Sequence, residues 1–210
     1  MVENKKLSDY VHYFPNMLDK EYCDYAVSEM EKCDKFIPLF YSGEAYQYDF
    51  YGIGLEEESD LKHLYFPIID PLLSAKDKYL EKIDMYHPGP KKNIEGIEYF
   101  VEFGDRVRIQ HHRTGGQTAK HYDRPISQST PSSGFSATRP YERFDEVLKI
   151  NLTAILYVNE DYKGGQFYIM DEEYSTEKGS VIIFPSGFMW PHGVKKVTEG
   201  ERWSISMFIR

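Results

Sequence analysis

The chain has 210 residues, 41% hydrophobic and 28% charged, which is an ordinary balance for a globular protein and long enough for one domain with a full core. Its formal net charge of −9 opposes attraction to phosphate backbones and anionic membrane surfaces, so nucleic acid is not the expected partner. No stretch approaches the roughly 18 apolar residues of a membrane span, and residues 1–10 lack the apolar run of a secretory signal. The expected compartment is cytoplasmic.

In chain order, the first third reads as mostly helical. Leu18, Tyr22, Tyr25, Ala26 and Met30 fall at the 3–4 spacing of one helix face. Cys23 and Cys33, the two cysteines, would lie about 15 Å apart along such a helix, too far for a disulfide, and are expected as reduced thiols. A second helix is predicted to start with Asp70 as N-cap and Pro71 in the first turn. It would bury Leu72, Leu73, Tyr79, Leu80 and Ile83 and stop before His87-Pro88-Gly89-Pro90. From about residue 94 the texture changes to short β-rich runs, at roughly 96–103, 105–111, 148–158, 166–170, 179–184 and 202–209. Turn signals separate them, among them Gly115-Gly116, Lys163-Gly164-Gly165 and Glu199-Gly200. Short strands without helical crossovers favour a sandwich or barrel. The Ser-, Pro-, Thr- and Arg-rich stretch 124–146 interrupts them as a long polar loop, of the kind that is either functional or disordered.

The chemistry concentrates on His121-Tyr122-Asp123. In a strand, residues i and i+2 share a face, which would set an imidazole beside a carboxylate. With seven histidines in the chain, one such triplet is expected by chance, so a third ligand is needed. His192 follows the apolar run Val181–Phe184 and the turn Pro185-Ser186-Gly187, and two histidines with one carboxylate make the facial triad of non-haem iron(II), with three positions open. Arg202 comes ten residues later, at the head of the last apolar strand, where a buried charge is costly unless an anion meets it. Arginine is the side chain suited to grip a carboxylate with two bonds. His111 and His112 are neighbours, so at most one of them faces the iron.

From Val107 to Arg210 the chain resembles the catalytic domain of 2-oxoglutarate/iron(II) dioxygenases, most of all its prolyl 4-hydroxylase branch. The matching runs are HYD at 121–123, NLTAILYVNEDYKGGQF at 151–167, GSVIIFPSG at 179–187 and PHGVKKVTEGERWSIS at 191–206. The resemblance implies an α+β, mainly β fold: a double-stranded β-helix (jelly roll) over residues 94–210, buttressed by mostly helical residues 1–93 within a single domain, 1–210. It also implies iron(II) on His121, Asp123 and His192, with 2-oxoglutarate and oxygen as co-substrates and ascorbate as a reductant. The distal carboxylate of 2-oxoglutarate would meet Arg202, Thr153 and, where the branch usually has a tyrosine, His112.

The reaction implied is hydroxylation of a C–H bond, on a prolyl residue of a peptide or protein in the first place and on a free amino acid or other small molecule in the second. Asp123 points away from halogenation, for which the family replaces the carboxylate by a small residue. Phe208 stands where the nucleic-acid dealkylase branch carries a second arginine. From another class, a non-catalytic jelly-roll binding module would share this fold, but would be free to lose one of the ligand positions.

Overall fold

The computed structural model describes residues 6–39, 49–55, 59–83, 106–123 and 152–209. Within these, strand β1 (His12–Phe14) precedes helix α1 (Lys20–Met30), and β2 (Ile37–Pro38) and β3 (Phe50–Gly54) precede helix α2 (Tyr65–Lys82). Then come β4 (Arg106–His112), β5 (Thr118–His121), β6 (Leu152–Tyr157), β7 (Lys163–Gly164), β8 (Phe167–Ile169) and β9 (Glu172–Tyr174). The last are β10 (Val181–Pro185), β11 (His192–Val194), β12 (Val197–Glu199) and β13 (Arg202–Ile209).

The strands form a larger sheet in the order β1-β10-β6-β13-β4-β3-β2, a smaller one in the order β5-β11-β8-β9, and a β12-β7 ribbon, with antiparallel pairing in each. Chain neighbours are seldom sheet neighbours, as in a jelly roll, and the fold is of that kind. Every residue of β6 is buried, which requires cover on both faces. Ala154 and Leu156 belong to one apolar cluster with α1 and α2, together with Val181, Ile183, Ile205 and Met207. Their alternates Ile155 and Tyr157 turn inward with Ile182 and Phe184 and meet Phe167, Ile169 and Val194 of the smaller sheet. The period of two thus separates a helix-facing core from a barrel interior.

The first third departs from the helical expectation, because β1, β2 and β3 enter the larger sheet. These strands are only three, two and five residues long, too short for an alternation pattern to stand out. Helix α1 is capped by Asp19, whose Oδ1 accepts from the Glu21 and Tyr22 amides at 2.9 and 3.0 Å. It buries Cys23, Ala26 and Met30, whereas Tyr25, expected inward, is 46% exposed. At about 100° per residue, Tyr25 stands on the far side from Cys23. The helix ends before Cys33, and both cysteines are unpaired; burial pushes the Cys23 thiol up to about 11.

Helix α2 begins before its expected cap at Asp70. A 3-10 turn at Ser59–Leu64 feeds it, and the buried stripe Leu64, Ile68, Leu72, Ala75, Tyr79 runs straight through Pro71. An interior proline costs about 3 kcal/mol. Five buried side chains at about 1.5–3 kcal/mol each outweigh that. No helix among the described residues is long and apolar enough to cross a membrane. The strand expected at 96–103, the breaker at 87–90 and the loop at 124–146 lie outside the described residues.

Candidate metal centre

Strands β5 and β11 pair so that His121 stands opposite His192, with ring centroids 4.5 Å apart. Each ring is oriented by backbone of its own segment. His121 Nδ1 lies 2.8 Å from the Ala119 carbonyl oxygen and His192 Nδ1 lies 3.0 Å from that of Trp190. A carbonyl oxygen only accepts, so each Nδ1 carries a proton and each Nε2 is the ring nitrogen left to face Asp123. These Nε2 atoms lie 3.7 Å from Asp123 Oδ1 and 3.5 Å from Asp123 Oδ2, respectively. One ligand atom from each of the three residues falls within 4.8 Å of the others. Burial first, and the neighbouring His192 next, hold the His121 imidazole down at about 4, so it is neutral at physiological pH and need lose no proton to bind a metal.

The strand ends at His121, so the pleat does not place Asp123, contrary to the i, i+2 expectation. Asp123 lies just beyond, buried, and its Oδ2 accepts a 2.5 Å hydrogen bond from the Thr153 hydroxyl. Thr153 Oγ1 is in turn 2.8 Å from Ser186 Oγ. On the other side of the centre, Gly193 lets β11 lie close against its neighbours. A Cβ there would come within 2.7 Å of the Thr118 carbonyl oxygen and 2.5 Å of the Tyr168 hydroxyl.

The inward face of β13 carries Arg202, which is 1% exposed. Its Nη1 donates to Ser204 Oγ at 2.9 Å and approaches His112 Nδ1 at 3.4 Å; neither partner is anionic. Among the described residues its Nε has no hydrogen-bond partner, nor does the buried hydroxyl of Tyr157, over whose ring the guanidinium lies at 5.4 Å. Asn159 brackets the arginine: its Oδ1 accepts from the Trp203 amide at 2.7 Å and its Nδ2 donates to the Glu201 carbonyl at 2.8 Å. His112 is stacked on Phe50 with centroids 4.1 Å apart, and its Nε2 is 2.8 Å from Thr118 Oγ1. Burial, reinforced by Arg202, keeps His112 neutral, well below the usual histidine value. Because arginine only donates, Nδ1 accepts from Arg202 and Nε2–H donates to Thr118, so both ring nitrogens are engaged within the chain. His111 faces the opposite way, stacked on Trp203 at 3.7 Å with its Nε2 2.8 Å from Glu201.

Asp123, Thr153, Arg202 and both histidines line one pocket, with Ile155, Phe167 and Phe208 among its apolar walls. Residues 107–210 match the sequence model described as the 2OG-Fe(II) oxygenase superfamily. The chain belongs to that superfamily. Over 63 residues it is 40% identical to prolyl 3-hydroxylase 1 of Gallus gallus, covering 27% of this chain and 9% of that protein; it therefore spans a small part of the length of this curated relative. Its fold is similar to a prolyl-4-hydroxylase of Pseudomonas putida, with TM-score 0.57, 19% identity and coverage of 95% of this chain and 91% of that one. It is also similar to a Trichoplax adhaerens prolyl hydroxylase in complex with a hypoxia inducible factor oxygen degradation domain peptide fragment, with TM-score 0.62, 13% identity and coverage of 96% and 84%.

The residues present fit the iron(II) and 2-oxoglutarate that the family description implies. Two imidazoles and one carboxylate are a donor set for non-haem iron. A buried cation with an unused donor, beside an unused phenol O–H, is a seat for a carboxylate. Tyr157, Asn159 and Ser186 are absent from the sequence-based site. Tyr157 had a legible signal, since it shares the inward face of β6 with Thr153, four residues before it.

Proposed function

We propose that this chain is an iron(II)- and 2-oxoglutarate-dependent dioxygenase that hydroxylates a C–H bond, with a prolyl residue of a peptide or protein as the first substrate to test. The observation that carries the reading is the pairing of two features in one pocket. Three metal-ligand side chains converge at one place, and the same pocket is lined by a buried arginine that meets no anion among the described residues.

His121, Asp123 and His192 would hold the metal. Arg202 and Tyr157 take the distal carboxylate of 2-oxoglutarate; burial raises the Tyr157 phenol far above its ordinary value, so it stays a donor. Ile155, Phe167 and Phe208 keep water from the reacting atoms. Bound iron and 2-oxoglutarate supply the oxidising chemistry, in which 2-oxoglutarate is decarboxylated to succinate and one oxygen atom enters the substrate. Ascorbate serves as reductant in the assay. The prolyl assignment is supported by likeness to prolyl hydroxylases, one of them bound to a peptide.

The test begins without substrate. Iron(II) and then 2-oxoglutarate are added anaerobically to the apoprotein. The weak visible charge-transfer band of a metal-bound keto acid is expected in the wild type and absent in His192→Ala. Proline-containing peptides are then assayed for oxygen-dependent succinate and a mass gain of one oxygen. A protein that binds iron without developing the band is a jelly-roll binding module instead.

A further inference from the structure

Each of the three converging side chains needs something to hold it, and Asp123 is held differently from the histidines. His121 and His192 are tied to backbone carbonyls. Asp123 lies past the end of β5, so no ladder bond fixes it. Among the described residues, the polar contacts at its carboxylate are the two imidazoles and the Thr153 hydroxyl. Thr153 sits mid-sheet on the inward face of β6, opposite Phe184 of β10 and Phe208 of β13. Ser186 is the first residue past β10, and Thr153 and Ser186 are 2% and 0% exposed.

A threonine hydroxyl has one proton. At 2.5 Å from Asp123 Oδ2, a carboxylate oxygen that only accepts, Thr153 spends that proton on Asp123. Ser186 must then be the donor across the 2.8 Å contact to Thr153 Oγ1. The order is therefore Ser186 to Thr153 to Asp123. While Thr153 points this way it has no proton left for the carboxylate of a co-substrate. That departs from the role the family resemblance implies for it, and Tyr157 is the side chain with an unused proton beside Arg202.

We propose that Thr153 and Ser186 are positioning residues for the metal-binding carboxylate of Asp123, and not contacts to 2-oxoglutarate. This rests on the metal reading given above. The relay engages Oδ2 and would leave Oδ1 as the oxygen for the metal.

The experiment compares wild type, Thr153→Val, Thr153→Ser and Ser186→Ala as full chains. Cobalt(II) affinity and the cobalt visible spectrum are read anaerobically, and KM for 2-oxoglutarate is read at saturating iron(II). Thr153→Val is expected to weaken cobalt binding by roughly 10–100-fold, as loss of a partner behind a metal ligand does. It should also alter the spectrum, with KM for 2-oxoglutarate changed less than about threefold on the same reasoning. Thr153→Ser restores both metal readouts, and Ser186→Ala gives a smaller loss in the same direction. A Thr153→Val protein with wild-type cobalt binding and a 2-oxoglutarate KM raised tenfold or more overturns the relay and returns Thr153 to the co-substrate. A wild type that binds no cobalt removes the metal reading itself, and the relay with it. Should Thr153→Val fail to fold, Ser186→Ala decides: unchanged cobalt affinity and spectrum there overturn the proposal.

Discussion

Arg202, which lines the pocket, and Tyr157 beside it hold polar atoms in reserve. The Tyr157 hydroxyl and Arg202 Nε are sequestered without a hydrogen-bond partner among the described residues, a state that costs about 1–3 kcal/mol for a neutral group and more for a charged one. A ligand carboxylate that met both would recover that cost, so function and stability pull in opposite directions here. Tyr157→Phe is expected to raise the melting temperature of the apoprotein while weakening 2-oxoglutarate binding about tenfold, the loss of one hydrogen bond to a charged partner. Thermal melts with and without 2-oxoglutarate read both effects; a variant that melts lower and binds equally well would remove Tyr157 from the site. At this scale the sequence was partly legible. His121, Asp123, His192 and Arg202 could be picked out because metal and carboxylate chemistry restricts the residue types. Which hydroxyl serves which carboxylate could not, because a threonine in a strand reads the same whether it packs, caps an aspartate or binds a ligand.

Strands position these groups, and their spacing is the next determinant. His121 and His192 face one another because β5 and β11 pair in one register, and that pairing is close because residue 193 has no side chain. Gly193→Ala places a methyl group 2.7 Å from a backbone oxygen that cannot swing away. The strands must part, and the two imidazoles part with them. We expect Gly193→Ala to fold with a modest loss of stability and a large loss of metal affinity, measured by denaturant unfolding and cobalt titration. Retained affinity would show that the smaller sheet absorbs the change elsewhere. Long elements were foreseeable: β4, β6, β10 and β13 fall within or beside the runs read from sequence. Short strands such as β1, β2, β7, β9 and β12 were not, since so few positions display no period. Helix α2 starts ahead of its local signal, because a proline marks a helix's first turn whereas here a buried stripe carries the helix through it.

Across the whole molecule, burial keeps several histidines neutral. His112 is held well below 6.5 by burial and Arg202, His121 is lowered to about 4 by burial and His192, and His111 and His12 are lowered mainly by burial. Unfolding releases them to titrate near 6.5, so below that pH the unfolded chain binds protons that the folded apoprotein does not. Stability is therefore fully present above about pH 6.5 and falls as the pH drops from there toward the lowered folded values. Denaturant unfolding of the apoprotein at pH 7.5, 6.0 and 5.0 should show this decline, and it should be smaller in His112→Gln. A profile flat over that range would mean that the histidines titrate as freely in the folded protein as in the unfolded one. The sequence by itself determined the class: a mainly β chain with His-x-Asp, a distal histidine and a strand-borne arginine in order, because ligand chemistry and strand periodicity are local properties of residue type and spacing. Only the tertiary structure decided which strands are neighbours, that Asp123 is aimed by Thr153 and Ser186 and not by its own strand, and that Tyr157 stands beside Arg202. Those are distances between residues far apart in the chain, set by the winding of two sheets around one interior, and no local pattern encodes them.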